Sequence, residues 1–332
     1  MTHNWPVYGH DWAVEHLHKG MRNHRVRHAY LITGTDSIGK MTLALAFAMA
    51  LNCTHEDESA RPCGGCRSCK LTQSGNHPDM LYSQTDPRTG VLKIDAIRTI
   101  TGRIAMKPYE ARYRIAIFEN FDHAQPRAQD ALLKTLEEPP PNAVLILLAE
   151  STETVLSTIT SRSQVLHLRP VAAGAIQAAL AEVYAVEEEQ AELLSRLSGG
   201  RIGWAIDAVE NPDLLQQRED ALALLEEVLG TNRTGRFDMA NKLGRDKQSL
   251  LRLLELWQTY WRDVLLLAEN SPVKPCNVDR SSEIRQLVET ITPEEALDAL
   301  RSTQELMKTL AYNVNARLAL EVMFLDYPGL VR

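Results

Sequence analysis

The sequence predicts an α/β domain built around a phosphate-binding loop, followed by a series of helices. Two stretches indicate the α/β domain: the pattern Gly-x-x-x-x-Gly-Lys at 34–40, and an apolar run, Ile115–Phe118, that ends at an acid, Glu119. From residue 213 onward, long helical patterns predict an all-helical region. Four closely spaced cysteines between the two stretches predict a metal-binding insertion.

The composition is that of a globular chain of two or three domains. It has 332 residues, of which 44% are hydrophobic and 24% charged, and no apolar run approaches the ~20 residues of a membrane span. The first residues lack the apolar core of a signal peptide, which predicts a cytoplasmic protein. The net charge of −7 excludes a surface that binds phosphate throughout, so we expect any DNA contact to be local or shared with partners.

The chain begins with a turn and a helical pattern over residues 5–28. Val7 and Tyr8 lie just upstream of the phosphate loop. They fit two interpretations equally, the lining of an adenine pocket and ordinary core packing.

The loop at 34–40 is predicted to lie between a strand and a helix. Gly34 and Gly39 allow backbone N–H groups to turn toward an anion, and Lys40 supplies a positive charge. Such loops need a hydroxyl directly after the lysine to hold Mg²⁺, but Met41 is at that position. Thr42 is one residue late, and a helix turns by about 100° per residue, so it should point elsewhere. The loop therefore predicts a phosphate cradle with a doubtful metal site, and nucleotide binding stays open.

A cysteine cluster follows the first helix of this domain and forms an insertion over residues 53–78. The spacing of its members suits tetrahedral zinc, because the reducing cytoplasm disfavours disulfides and Cys-x-x-Cys turns direct backbone N–H groups at sulfur. Four thiolates would leave no open coordination position, so the zinc should be structural. The ligands would be Cys53, Cys63, Cys66 and Cys69.

The run that ends at Glu119 resembles the strand that brings a carboxylate to Mg²⁺ in ATPases with a phosphate loop. The next residue usually orients the attacking water, but here it is Asn120. An amide cannot accept the proton of that water. Met41 and Asn120 thus both predict a pocket that does not hydrolyse ATP.

The rest of the first domain has an amphipathic helix over 128–138, stopped by three prolines, and a buried strand over 144–149. The tripeptide Ser161–Ser163 then precedes another strand. Its arginine, Arg162, would by itself be an ordinary surface charge.

Three motifs together resemble the delta-prime subunits of bacterial DNA polymerase III clamp loaders, which belong to the AAA+ family. They are the cysteine insertion followed by Asn-His-Pro-Asp at 76–79, the sequence ALLKTLEEPPP, and Ser161–Ser163, which is similar to the family's Ser-Arg-Cys. The resemblance covers about the first 170 residues. Ser163 departs from the pattern, but the chemistry of the neighbouring arginine does not depend on that cysteine.

The resemblance implies an AAA+-like domain (1–170) with its zinc module, a small helical lid (171–210) and a C-terminal helical collar (211–332). It implies a ring of five subunits that includes gamma/tau and delta, and that acts on a sliding clamp and primed DNA. The delta-prime member does not hydrolyse ATP. Arg162 is carried over as an arginine finger that acts in trans on the ATP of a neighbouring gamma/tau subunit.

The lid and collar match this family only in length and helical character. ATPase relatives carry a lid arginine near Gly203, although Arg201 could replace it. In the collar, a 3.6-residue period predicts a packed helix and, with no catalytic cluster, an oligomerisation element; the periodic residues are Leu250, Leu253, Leu254, Trp257 and Trp261.

Two alternatives to the clamp-loader subunit stay open. The first is an autonomous ATPase that uses Lys40, Glu119 and Thr42 on its own ATP. The second is a zinc-dependent DNA-binding module in which basic residues around the cysteines contact phosphate, namely Arg61, Arg67 and Lys70. The run His55–Glu58, which contains three acids, and the net charge speak against the second.

Overall fold

The computed structural model describes residues 5–86, 90–310 and 314–329. The chain forms two compact units, Met1–Ala179 with Gly200–Trp204, and Leu180–Gly199 with Ala205–Arg332. Among the helices of the described residues, none is both long and apolar enough to cross a membrane.

The first unit contains a parallel sheet with helices between its strands. The strands are β1 Ala29–Thr33, β2 Met80–Tyr82, β3 Arg114–Phe118, β4 Ala143–Ala149 and β5 Gln164–His167. Its helices are α1 Asp11–Arg22, α2 Lys40–Asn52, α3 Arg67–Gln73, α4 Ile94–Ile104, α5 Pro126–Asp130, α6 Leu133–Glu137 and α7 Ser157–Thr160. Next along the chain are α8 Ala173–Tyr184 and α10 Ile202–Glu210, which are divided between the two units, and α9 Glu188–Leu197, which belongs to the second unit.

The strands pair in the order β2-β3-β4-β1-β5, and every pairing is parallel. Both faces of the sheet are covered, which is why the central strand β4 reads as an unbroken apolar run. Its side chains alternate between two cores: Val144, Ile146 and Leu148 join one cluster, and Leu145 and Leu147 join the other. The predicted α/β domain is confirmed, together with a separate helical unit.

Because all five strands run parallel, their carboxyl ends form one edge of the sheet and their amino ends form the opposite edge. At the carboxyl edge lie the phosphate loop after β1, Glu119 after β3 and Glu150 after β4. The segment 105–113 before β3 and Arg162 before β5 lie at the amino edge. Residues far apart in the chain therefore meet at one edge.

One predicted helix of this unit is divided. The stretch expected as a single helix over 128–138 forms α5 and α6, because Ala131 and Leu132 make i→i−3 hydrogen bonds that tighten the turn between them. The buried Gln129 amide contributes to this local structure by donating to the carbonyls of Ala124 and Thr154.

The second unit is helical. Its further helices are α11 Asp213–Gly230, α12 Arg233–Leu243, α13 Lys247–Ala268, α14 Ser281–Val288, α15 Pro293–Leu310 and α16 Ala316–Asp326. As their helical spacing predicted, residues of α13 pack in its core: Leu250, Leu254, Trp257 and Trp261 are buried, and Leu253 is half-buried against them. Arg236 is also fully buried, and its guanidinium donates to main-chain carbonyls at the ends of α11 and α16.

Candidate functional site

The phosphate loop has the backbone geometry that its glycines predicted. Gly39 has φ of +105° and caps the first turn of α2. Gly34 has φ of +152°, and a Cβ at this position would lie 2.9 Å from the Leu168 carbonyl oxygen. Both conformations disfavour any residue with a side chain.

Lys40 is turned back onto its own loop. It is only 9% exposed, and its Nζ donates to the carbonyl oxygens of Gly34 at 2.6 Å and Thr35 at 3.0 Å. The Asp36 carboxylate lies 3.5 Å from the same nitrogen. An incoming phosphate would have to replace these oxygens as the partner of the ammonium group.

The residues after the lysine do not present a hydroxyl in the expected place. Met41 is half-buried and packs against the core on one face of the sheet, while Thr42 is exposed. Glu119 is exposed at the end of β3, and its N–H donates to the Ser83 Oγ at 3.0 Å. It lines a cavity of about 390 Å³ next to β2. Asn120 adopts a left-handed conformation with φ of +48°.

Glu150 is a site residue that the sequence reasoning missed. Partial burial raises the pKa of its carboxyl group, the carboxylates of Asp36 and Asp122 raise it further, and Lys40 acts in the opposite direction. Several acids beside one lysine reduce the positive potential that attracts a polyphosphate. The sequence signal was present, because an acid ends the buried strand β4 as Glu119 ends β3.

His10 and Gly203 form hydrogen bonds to backbone carbonyl oxygens of the phosphate loop, and neither contact was predicted. The buried His10 donates through Nε2 to the Ile38 carbonyl oxygen at 2.9 Å, and burial lowers its pKa, which favours the neutral ring. The Gly203 N–H donates to the Ser37 carbonyl oxygen at 2.7 Å. A Cβ at position 203 would lie 2.7 Å from that same oxygen, so no side chain fits there without movement.

Val7 and Tyr8, the other predicted nucleotide contacts, differ in how deeply they are buried. Val7 is buried and belongs to one of the two sheet cores, and Tyr8 is half-buried. The Arg201 guanidinium stacks on the ring of Trp204, with its Cζ 5.9 Å from the ring centroid.

Arg162 lies at the amino edge of the sheet, away from the phosphate loop. Its side chain is 39% exposed, and Nη2 lies 2.9 Å from the Oε1 of Glu137, which is the first glutamate of the LEEPPP sequence. Its Nη1 donates to the Thr158 carbonyl oxygen at 3.0 Å.

The structure brings the four predicted metal ligands together. The Sγ atoms of Cys53, Cys63, Cys66 and Cys69 all lie within 4.8 Å of one another. Tetrahedral zinc with Zn–S bonds of about 2.3 Å places thiolates about 3.8 Å apart, so a slight contraction would complete the site. The residues present fit zinc, and sulfur in all four positions fits a structural ion.

Backbone N–H groups already point at these sulfur atoms. The N–H of Cys63 donates to Cys53 Sγ at 3.4 Å, that of Cys66 to Cys63 Sγ at 3.3 Å, and that of Cys69 to Cys66 Sγ at 3.4 Å. Gly64 makes the first turn possible with φ of +67°. Hydrogen bonds of this kind stabilise thiolates, the form that binds metal.

Comparison with known proteins gives consistent matches. A family model described as DNA polymerase III, delta subunit, matches residues 9–172. The DNA polymerase III subunit delta-prime of Bacillus subtilis is 28% identical over 313 residues, which cover 93% of this chain and 93% of that protein. The delta-prime subunit of Haemophilus influenzae is 35% identical over 142 residues, 42% of each chain. The tau/gamma subunit of that species is 32% identical over 181 residues, which cover 54% of this chain and 26% of that protein.

Proposed function

Since the chain belongs to the family of DNA polymerase III delta-prime subunits, we propose that it is a non-hydrolytic subunit of a clamp loader. In this role it joins gamma/tau and delta subunits in a pentameric ring and helps to load the sliding clamp onto primed DNA. Residues 1–170 form the AAA+-like domain, residues 171–210 the lid, and residues 211–332 the collar that joins the ring. Arg162 acts in trans on ATP that a neighbouring subunit binds.

The single observation that carries this function is the position of Arg162. Its guanidinium lies at the surface on the amino edge of the sheet, whereas the phosphate loop of the same chain lies at the carboxyl edge. An arginine placed there is accessible to another molecule. Guanidinium groups supplied in trans stabilise the charge that develops during phosphate transfer.

Features of the chain's own pocket support the absence of hydrolysis. Met41 packs into the core where a Mg²⁺-binding hydroxyl is needed, and Asn120 follows Glu119 where a proton acceptor is needed. Close backbone contact at Gly203 leaves no room for a lid arginine at that position. ATP binding without turnover, through Lys40 and the loop N–H groups, is compatible with this arrangement.

The test of the arginine is Arg162→Ala in the reconstituted loader. Such a finger contributes about 10³ to 10⁵ in rate, so the site that it serves should lose its share of DNA-stimulated ATP turnover, while the ring still assembles. Lys40→Ala is the matched control, because it removes a cation from the chain's own loop and should change turnover much less. Unchanged turnover in Arg162→Ala would refute the finger, and a large loss in Lys40→Ala would assign activity to this subunit's own loop.

A second candidate, an autonomous ATPase, is favoured by the intact glycine–lysine loop and by Glu119 at the same edge. Turnover by the isolated chain would establish it.

The third candidate is a zinc-dependent DNA-binding module. Ion pairs between its basic residues and acids of the same chain speak against it. Arg61 is largely buried and pairs with Glu58 at 2.9 Å. Arg67 is exposed and pairs with Glu110 at 3.3 Å, and Lys70 is exposed. Salt-sensitive DNA binding by the isolated chain would favour this module.

A further inference from the structure

A run of positive charge lies at the end of α1 and in the connection from α1 to β1. Between Glu15 and Asp36 the sequence has no acid, whereas the chain as a whole carries −7. The cations of this stretch are all exposed, and together we call them the basic surface: Lys19, Arg22, Arg25 and Arg27. The local charge is therefore opposite to that of the whole chain.

The end of α1 brings three of these cations close together. The Arg25 N–H donates to the Gly20 carbonyl oxygen at 2.8 Å, and the His24 N–H donates to the Met21 carbonyl oxygen at 3.0 Å. His24 has φ of +52°, so α1 ends in a Schellman motif that turns the chain back onto the helix. Arg25 is thereby held beside the last turn of α1, which carries the first two cations.

The apolar side chains of this stretch face inward. Met21 and Val26 are half-buried and pack against one core of the sheet. Arg25 and Arg27, on either side of Val26, are exposed. The Arg27 N–H donates to the Tyr30 Oη at 2.9 Å, which fixes the backbone where it enters β1. The outer face of the stretch is therefore cationic and rests on an ordered backbone.

The charges of the basic surface are not neutralised within the chain. None of its four side chains forms an ion pair or a hydrogen bond with a residue that the structure describes. Glu15, one turn before Lys19 on α1, is exposed and does not pair with it. Backbone N–H groups of residues 23–25 already bond to three of the last carbonyl groups of α1. The helix dipole favours cations at this end, which explains Lys19 and Arg22 but not the arginines beyond the helix.

We propose that the basic surface binds the phosphate backbone of duplex DNA. A duplex presents one negative charge per about 1.7 Å of its axis, and lysine and arginine bind this charge without an apolar contact. Phosphate contacts fix the position of a protein on the duplex and carry no sequence information. The choice of DNA among polyanions rests on the proposed function, in which the loader acts on primed DNA.

Two other occupants fit the basic surface less well. An acidic protein would need an apolar centre within the polar rim of its interface, but Met21 and Val26 are turned into the core. Single-stranded DNA gains much of its affinity from bases stacked on aromatic rings, and residues 19–27 contain no Phe, Tyr or Trp. Uniform positive charge without either feature favours the duplex.

The test is a fluorescence anisotropy titration of a labelled DNA duplex with the full chain at several salt concentrations. The variant is Arg22→Gln/Arg25→Gln. Salt-sensitive binding alone would also fit a DNA-binding module at the cysteines, so the control is Arg67→Gln/Lys70→Gln, which removes the same charge from two exposed residues of that insertion. A single strand of the same length and polyglutamate are unlabelled competitors. Circular dichroism melts establish that each variant is folded.

We expect the wild type to bind the duplex with an affinity that falls as salt is raised. Each phosphate contact contributes about 0.9 to the slope of log K against log salt, so Arg22→Gln/Arg25→Gln should lower that slope by about 1.8. The control should keep the slope of the wild type, and the two competitors should displace the duplex only weakly.

Four results would overturn the proposal: no duplex binding by the wild type, an unchanged slope in Arg22→Gln/Arg25→Gln, an equal loss in the control, or displacement by either competitor as effective as by unlabelled duplex. An equal loss in the control would assign the binding to the cysteine insertion. Assembly with gamma/tau, followed by gel filtration, tests the proposed function separately. A chain that joins the ring but does not bind duplex would refute only the basic surface.

Discussion

The ion pair between Arg162 and Glu137 leads us to predict that Glu137 restrains the proposed arginine finger. In the isolated chain the guanidinium is held on its own surface by a carboxylate at 2.9 Å and by the Thr158 carbonyl oxygen at 3.0 Å. A carboxylate repels phosphate, so Arg162 has to leave Glu137 before it can serve a neighbour's ATP. Glu137→Gln removes the negative charge and keeps the shape of the side chain.

The size of the effect follows from the exposure of the pair. The Arg162 side chain is 39% exposed and that of Glu137 is 54% exposed. Exposed ion pairs contribute about 0.2 to 1 kcal/mol, which corresponds to a factor of about 1.4 to 5 in the population of the released arginine. At subsaturating ATP, the share of turnover from the site that Arg162 serves should therefore rise by up to about that factor, and the difference should shrink at high salt.

Glu138→Gln is the matched control, because Glu138 is the adjacent exposed glutamate and forms no salt bridge among the described residues. The assay is steady-state ATP hydrolysis with clamp and primed DNA at low and high salt. A fall in turnover on Glu137→Gln, or an equal rise on Glu138→Gln, would refute the idea that Glu137 restrains the finger. Adding Arg162→Ala to Glu137→Gln should abolish the gain.

Two further predictions concern the cysteine cluster and the buried carboxylate of Asp79. Cys66→Ser should release zinc and make residues 53–78 sensitive to protease, which metal analysis and limited proteolysis would measure. The control Cys276→Ser should keep its zinc. Full zinc content in Cys66→Ser would contradict the four-thiolate site. Asp79→Asn should lower the free energy of unfolding by about 1.5 to 3 kcal/mol in urea titrations at neutral pH, because a charged acceptor of three backbone N–H groups is lost. The folded-state pKa of Asp79 is depressed, so its contribution is complete above the unfolded value of about 3.9 and is lost as the pH falls through the folded value. The difference between wild type and variant should therefore narrow in acid, and a constant difference would argue against a charged carboxylate.

Local patterns in the sequence predicted much of the fold and the main parts of the site. The glycine positions of the phosphate loop, the apolar run of β4 and the helical period of α13 each depend on neighbours a few residues away. The mismatch at Met41 was visible for the same reason, because one turn of helix fixes where its side chain points. The divided helix α5–α6 was missed, since its break depends on Gln129 binding carbonyls outside the helix.

The sequence by itself determined the glycine–lysine loop, the spacing of the cysteine cluster and the replacement of expected polar groups by Met41 and Asn120, because these features depend on neighbours a few residues away. Only the tertiary structure decided which distant groups meet: Gly203 on Ser37, Asp79 beneath Tyr109, and Arg162 on Glu137. The strand order β2-β3-β4-β1-β5 is not the chain order, so the neighbours at each edge of the sheet are set by strand pairing and core packing. Those long-range contacts place the arginine where another molecule can reach it.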